Sequence, residues 1–293
     1  MVSTYAEQDG AVLPVPVPSG NTAITDLLEL LAGRDLLVAP HVASRLLEYL
    51  DGDVEAVAET VSVLSPDQRR GTRVLPDPLP LTPAVAERFS DLALEPWERR
   101  LLLTAAVCVD DDTDVLRAVS GRSMDEIIAG EPGRRLVFVA GHFAFADLRL
   151  RQWSHESADL AARTKTHLEL HRAYLSLGDD RRALWHLSLG TMQGEAALTR
   201  PLLELARTTA AEGDAERAFA VAREAMSHAG PADVEAARLT AGLAALRAGL
   251  RWSRNASARR APPARSGGTG AVSLRSSRCW GRSATTRRRA GGG

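Results

Sequence analysis

The chain lacks the residues that build disulfide frameworks and membrane spans. Its 293 residues include only two cysteines, Cys108 and Cys279, which give neither a disulfide framework nor a zinc-ligand spacing. No apolar run reaches the roughly 18 residues that a membrane span needs. The N-terminal stretch shows no basic start followed by a long apolar core, the pattern of an export signal. We therefore expect a cytoplasmic protein without a membrane span.

Lysine is almost absent, and one segment has no negative charge. Lys165 is the only lysine among 36 basic residues, and residues 251–293 contain eleven arginines but no Asp or Glu. The first 250 residues hold 25 basic and 37 acidic groups, a net charge of −12 that the value of −1 for the whole chain conceals. The body is therefore expected to repel nucleic acids, and only the basic segment can attract them.

The motifs of common enzyme classes are also missing. The run LLLTAAVCVDDDTD (residues 101–114) resembles a Walker B strand with its carboxylates, but the phosphate loop Gly-x4-Gly-Lys-Ser/Thr is absent. The spacing of the apolar residues before Asp110 fits a helix as well as a strand. We interpret the run as a helix ending in an acidic loop. No nucleophile elbow and no Gly-x-Gly-x-x-Gly motif occurs. We predict that the chain is not an enzyme and binds no cofactor.

Two histidines have a spacing that is found in metal sites. His167 and His171 lie four residues apart on a predicted helix. No glutamate completes a His-Glu-x-x-His motif, and no third ligand lies at a spacing typical of a zinc site. We predict that both are surface or packing residues, that His142 in a hairpin turn and His186 are structural, and that the chain holds no metal.

The first half of the chain is predicted to be helical on both sides of a proline-rich connector. Residues 1–20 are a Pro/Gly/Val-rich stretch that we expect to be flexible. Residues 21–74 carry the pattern of three helices, the third over residues 54–71. The sequence LPDPLPLTP (residues 75–83) excludes helix because proline fixes its own φ and removes an N–H donor. We place a domain boundary at this connector.

Residues 84–150 have the outline of a winged helix. Short helices are predicted first, one of them with a capping box of Ser123 and Glu126. The apolar residues then recur at every second position, with Val137 and Val139 on one predicted strand and Phe143 and Phe145 on the next, which predicts a hairpin. The candidate recognition segment, SMDEIIAGEPG, is acidic, which argues against DNA contact by this module.

Residues 156–250 contain an internal repeat. The segments YLSLGDDRRALWHL and TAAEGDAERAFAVA align at an offset of 35 residues, and a third copy reaches its turn glycine 36 residues later. The period and the small residues predict tetratricopeptide-like helix pairs. The repeat positions are Gly178, Asp179 and Ala183 in the first copy, Gly213, Asp214, Ala218, Ala225 and Pro231 in the second, and Gly249 in the third.

The third copy is interrupted after its first helix, which carries Leu239, Leu243 and Leu246. Residues 253–271 contain no Val, Leu, Ile, Met or Phe, so nothing there can cover the exposed face of that helix.

The basic segment 251–293, which we predict to be disordered, has two interpretations. It is a displaced reading frame or a truncated product, which we favour because the repeat breaks inside a unit. Alternatively, it is an arm that binds nucleic acid weakly and without sequence preference through Arg287, Arg288 and Arg289.

The order of these parts resembles the central portion of the large ATP-binding LuxR-type transcriptional regulators of actinobacteria. The resemblance covers roughly residues 21–250 and lies in the proline-rich connector and in VFVAGHFAFAD, RALWHLSLG and ERAFAVAREAM. It implies a helical lid over residues 21–74, a winged helix over 84–150 and a tetratricopeptide-like array over 156–250. No residue matches the phosphate loop of that family's STAND-type ATPase, and no helix-turn-helix of the expected kind follows residue 250.

These patterns together predict a mainly α fold with a helical lid, a winged-helix-like segment with a short β-hairpin, and a tetratricopeptide-like solenoid. Our functional hypothesis is a fragment of a LuxR-type regulator, without its own ATPase site or DNA-binding domain. It acts through a protein partner or regulatory ligand on the groove of its repeats. DNA contact is expected only weakly through the basic tail, and exposed apolar faces predict poor solubility or oligomerisation. The alternative is a stand-alone helical adaptor with a basic nucleic-acid-binding tail.

Overall fold

The structure, a computed structural model, describes residues 21–250. The N-terminal stretch 1–20 and the basic segment with Arg287, Arg288 and Arg289 lie outside the described residues. The described part contains fifteen helices and one two-stranded antiparallel sheet. The predicted mainly α class is therefore confirmed. No helix in residues 21–250 is long and apolar enough to cross a membrane.

The N-terminal helices differ from the prediction at one point. They are α1 (Asn21–Gly33), α2 (Pro40–Tyr49), α3 (Val54–Val63), α4 (Pro66–Arg69) and α5 (Pro83–Arg88). The single helix predicted over residues 54–71 is wrong, because it is divided into α3 and α4. Pro66 cannot continue the first helix, and Ser65 starts the second through a capping box with Gln68.

One hydrophobic core continues across the proline-rich connector. Leu46 of α2, Leu79 of the connector and Leu102 belong to the same buried cluster. The helices on both sides thus share apolar contacts, and the domain boundary at the connector stays a prediction.

The segment that resembles a winged helix contains short helices and the hairpin. Its elements are α6 (Pro96–Val107), α7 (Thr113–Ser120), α8 (Met124–Ala129), α9 (Glu131–Arg135), β1 (Leu136–Val139), β2 (His142–Phe145) and α10 (Leu148–Glu156). The predicted capping box of Ser123 and Glu126 is present at the start of α8. The candidate recognition segment forms α8 and the start of α9.

The predicted hairpin is present, and its register shows which residues share the buried face. Phe138 pairs with Phe143 and Leu136 with Phe145. Because directly paired residues of an antiparallel ladder share a face, Leu136 and Phe138 lie with the buried Phe143, while Val137 and Val139 are each 45% exposed. His142, predicted in the turn, is the first residue of β2.

The repeat region divides between two hydrophobic cores. Its helices are α11 (Leu160–Ser176), α12 (Asp180–Gly190), α13 (Ala196–Ala211), α14 (Ala215–His228) and α15 (Val234–Arg247). Leu170 and Tyr174 of α11 are buried in the core that also contains α2 and α6. The second core is built from α13, α14 and α15 and includes Leu202, Ala222 and Ala245. The first helix pair is therefore anchored on the preceding segment.

Candidate functional site

The repeat turns have the geometry that their glycines predict. Gly178, Gly213 and Gly249 adopt φ values of +78°, +96° and +69°, a left-handed conformation that costs other L-residues about 1–2 kcal/mol. Asp179 and Asp214 cap the helices that follow, and each carboxylate accepts a hydrogen bond of 2.9 Å from the backbone N–H three residues later. Two turns of this design connect α11 to α12 and α13 to α14.

The small repeat residues lie where helices pack closely. Ala183 is 1% exposed, and Ala218 and Ala225 are fully buried. Pro231 follows the end of α14 at His228. Since the distance between packed helices depends on the side chains at their contact, these alanines permit the close packing on which a repeat array depends.

Helix α15 buries alanines and exposes leucines. Ala237, Ala241, Ala244 and Ala245 are buried in the second core. Leu239, Leu243 and Leu246 are 65%, 51% and 74% exposed, respectively. We call these three residues the leucine face of α15.

The leucine face has no counterpart in the preceding repeat. The positions 36 residues earlier, in α13, are occupied by Leu203, Arg207 and Ala210. Leu203 is 3% exposed, and Arg207 forms a 3.1 Å ion pair with Glu204. An exposed apolar stripe at these repeat positions is therefore a feature of α15 and not of the repeat in general.

The acidic loop after α6 connects the first core to the first repeat turn. Asp110 accepts a hydrogen bond of 2.7 Å from the Tyr174 hydroxyl and lies 3.1 Å from Nε of Arg182. Arg182 also pairs with Asp179. The run LLLTAAVCVDDDTD thus forms a helix and an acidic loop, as interpreted from the sequence, and its first aspartate has a structural role.

Cys108 is buried beside this network. Its Sγ lies 3.2 Å from the Tyr174 hydroxyl oxygen. Burial raises the pKa of the Cys108 thiol to about 12 and raises that of Tyr174 above its ordinary value. Because the thiolate is the reactive form of cysteine, burial and the raised pKa favour a packing role for Cys108.

The histidines of α11 pack against α12. Nδ1 of His167 lies 3.0 Å from Nδ1 of His186, and Nδ1 of His171 lies 2.9 Å from the Ala183 carbonyl oxygen, to which it donates. The His186 ring is fully buried and stacks on Tyr174, with centroids 5.3 Å apart. No group of three or more His, Cys, Asp or Glu in residues 21–250 is arranged to hold a metal ion.

Burial of His186 predicts a loss of stability in weak acid. Burial, followed by the charges of neighbouring groups such as His167, lowers the pKa of His186 from 6.5 to about 2. The folded ring stays neutral while the unfolded ring is protonated below pH 6.5, so the unfolded state binds more protons. The free energy of unfolding is therefore expected to decrease below pH 6.5, by up to about 1.4 kcal/mol per pH unit.

Denaturant unfolding at a series of pH values measures this slope. His186→Phe keeps a ring on Tyr174 but removes the titrating group, and we expect a shallower decrease in this variant. His41→Gln, at an exposed histidine, is the control and should keep the slope of the native sequence. Equal slopes in all three proteins would contradict the prediction.

Arg149 of α10 forms a buried ionic cluster that the sequence did not indicate. Its side chain is 6% exposed and reaches Asp147 at 2.8 Å, Asp53 at 3.0 Å and Asp51 at 3.1 Å. Asp51 and Asp53 precede α3, almost 100 residues earlier in the chain. The cluster therefore joins the segment that resembles a lid to the one that resembles a winged helix.

A second long-range ion pair joins the lid-like segment to the repeats. Arg45 of α2 donates to both carboxylate oxygens of Glu216 in α14, at 2.9 and 3.1 Å. Paired N–H donors of this kind fix the orientation of both side chains. Glu216 and the Asp110 network thus add polar contacts between the array and the preceding segments to the apolar ones of Leu170 and Tyr174.

A cavity of about 340 Å³ lies between α6, α10 and α11. Its lining includes Trp153, Arg99, Arg100, Lys165 and Glu169. Arg100 pairs with Glu169 at 2.9 Å, and Lys165 lies 3.9 Å from the same carboxylate. Since the lining also includes Asp159, three cationic side chains face two carboxylates, and the cavity has no strong charge of one sign to attract an ion.

Comparisons with known proteins yield no relative. No protein-family model matches the chain. No curated protein and no solved structure matches it. A functional assignment therefore depends on the surfaces and contacts of the chain itself.

Proposed function

We propose that this chain is a protein-interaction portion of a LuxR-type transcriptional regulator and acts through its helical repeats. The observation that carries the proposal is the leucine face of α15. Binding of a protein at this face biases the position of neighbouring modules, and the chain itself neither hydrolyses nucleotide nor reads DNA through a helix-turn-helix.

The spacing of the leucine face suits a helical partner. Leu239, Leu243 and Leu246 occupy positions i, i+4 and i+7 of α15, the spacing of the anchors by which helices bind one another. At about 1.5–3 kcal/mol for a fully buried leucine, covering these partly exposed side chains contributes on the order of 4 kcal/mol before the costs of association. A contact of this size supports a regulated and reversible interaction.

Charge supports a protein partner over nucleic acid. The first 250 residues carry a net charge of −12, which repels phosphate backbones. The ion pair of Arg45 with Glu216 and the contacts of Asp110 hold the array against the segments that resemble the lid and the winged helix. Binding of a partner to the array can therefore affect the position of those segments through these contacts.

Site-specific photo-crosslinking in the native cell tests the proposal. A photoreactive residue in place of Leu243 is expected to label one protein species, identified by mass spectrometry. The control is the same residue in place of Leu37, which is 73% exposed and lies between α1 and α2. The double variant Leu239→Ser/Leu246→Ser is expected to reduce labelling from position 243, because it removes most of the apolar contact.

Two results would contradict the proposal. One is labelling at position 243 that does not exceed labelling at position 37. The other is labelling of many unrelated proteins that the double variant leaves unchanged, since this indicates a generally adhesive surface.

A further inference from the structure

The exposed side of α15 has the spacing of a coiled-coil seam. Ala236, Leu239, Leu243 and Leu246 follow one another at intervals of three, four and three residues. This alternation corresponds to positions a and d of a heptad repeat, which face a second helix in a coiled coil. The seam lies opposite the buried alanines, so a second helix can approach without displacing the second core.

The sequence directly after α15 lacks the apolar side chains of a matching seam. Residues 253–271 contain no Val, Leu, Ile, Met or Phe. A second copy of the chain, in contrast, offers the same leucine face. Self-association through one patch is the usual arrangement in a two-fold symmetric dimer.

Charge favours an antiparallel pair of helices. When Leu239 packs level with Leu243 of the second copy, Ala236 is level with Leu246 of that copy, so each layer joins an a to a d position. In this register Arg247 and Asp233 of the second copy share one edge of the seam. They are separated by about 3 Å along the helix axis at 1.5 Å per residue. The symmetric arrangement repeats the pairing at the other end.

Arg247 can enter this contact without losing a partner, whereas Asp233 already pairs with Arg200 and would share its carboxylate between the two arginines. Arg247 forms no ion pair within residues 21–250, and the Asp233 side chain is 22% exposed and held at 3.1 Å by Arg200, itself 81% exposed. A parallel pair instead places Glu235 beside Thr240, and Gly242 beside Arg247, so it forms no pair of opposite charges. Near the two-fold axis of the antiparallel pair, Thr240 and Gly242 flank the seam with small, uncharged side chains.

We propose that two copies of this chain form a symmetric dimer through antiparallel packing of their α15 leucine faces. The inference rests on the proposed function, because it names a second copy as the partner of the same surface.

Size-exclusion chromatography with light scattering on the full chain tests the dimer. The native sequence is expected to be dimeric, with dissociation on dilution. Leu243→Arg, near the centre of the seam, is expected to raise the dissociation constant about thirtyfold or more, as loss of a central contact does. Leu37→Arg introduces the same charge at another exposed leucine and should leave the dimer intact. Circular dichroism checks that both variants keep their helices.

Cysteine cross-linking tests the direction of the helices. In a Cys279→Ser background, where Cys108 is buried, Thr240→Cys is expected to cross-link to itself through a short bis-maleimide, since both copies lie on one edge near the axis. Arg247→Cys is the control, because its two copies are on the order of 18 Å apart along the axis. Cross-linking of Arg247→Cys, but not of Thr240→Cys, would overturn the antiparallel arrangement.

The remaining outcomes separate this inference from the proposed function. A native chain that is monomeric at every concentration, or a dimer that survives Leu243→Arg, overturns the proposed dimer. If a photoreactive residue at position 243 then labels a different protein, the proposed function still stands. If that residue labels no protein specifically, both are wrong.

Discussion

Arg149→Ala is expected to lower the free energy of unfolding by about 3 kcal/mol, among the largest effects of any single substitution in the described residues. The guanidinium is almost fully buried and is hydrogen-bonded to Asp147, Asp53 and Asp51. Its removal leaves three carboxylates near one another without their shared cation. Chemical denaturation of the full chain, followed by circular dichroism, measures the loss.

A matched control is Arg88→Ala. Arg88 forms a 2.9 Å ion pair with the same Asp147, but its side chain is 48% exposed. Solvent screening limits such pairs to about 0–1 kcal/mol. If the two variants lose equal stability, burial of Arg149 is not the source of its effect.

The cluster also predicts the direction of its pH dependence. Burial opposes ionisation of Asp147, but hydrogen bonds from Arg149 and Arg88 outweigh it and lower the pKa of that carboxyl below 3.8. A lowered folded pKa contributes stability that is complete above the ordinary value and is lost as the pH falls through the folded value. In Arg149→Ala, this loss is expected to be smaller, because less of the stabilisation exists at neutral pH.

Features with a local cause were predictable from the sequence. The left-handed turn at Gly178, the cap at Asp179 and the capping box at Ser123 each depend on a few neighbouring residues, and all are present. The third predicted helix shows the limit of this approach. Its apolar period ends at Leu64, and the helix divides because Pro66 and the capping box of Ser65 with Gln68 start a new helix, two local signals that the prediction over residues 54–71 passed over.

Features with a long-range cause were not predictable. In the sequence, Arg149 is one basic residue of a short helix. Its partners Asp51 and Asp53 lie almost 100 residues earlier, and only the fold places them beside it. Asp110 was correctly placed in a loop, but its contact with Tyr174 joins residues 64 positions apart. A sequence can indicate such an ionic cluster only where a charged residue falls at a position that the apolar pattern predicts to be buried.

The third repeat shows how packing reverses an expectation based on hydrophobicity. Leucines mark the more apolar side of α15, yet the alanine side is buried. Close approach of α14 and α15 requires small side chains, and alanine loses almost no side-chain entropy on burial. The leucines are therefore left exposed on the surface of residues 21–250.

Asp110→Ala is expected to lower the free energy of unfolding by about 3 kcal/mol and to reveal no catalytic role. The Asp110 side chain is 13% exposed. Its Oδ1 accepts the Tyr174 hydroxyl and its Oδ2 lies against Arg182. Removal of the carboxylate leaves the buried Tyr174 hydroxyl without its acceptor, which costs about 1–3 kcal/mol, and leaves Arg182 with Asp179 as its remaining ion-pair partner.

The neighbouring aspartate provides the control for this last prediction. Asp111 contacts His142 at 3.0 Å, but both side chains are more than 60% exposed, so Asp111→Ala should cost less than about 1 kcal/mol. A Walker B carboxylate, in contrast, must remain free to hold magnesium, and both oxygens of Asp110 are occupied. Magnesium-dependent ATP turnover by the purified chain that disappears in both variants would assign these aspartates to catalysis. Loss of stability in Asp110→Ala alone, without such turnover, assigns Asp110 to the contact between the first core and the repeats.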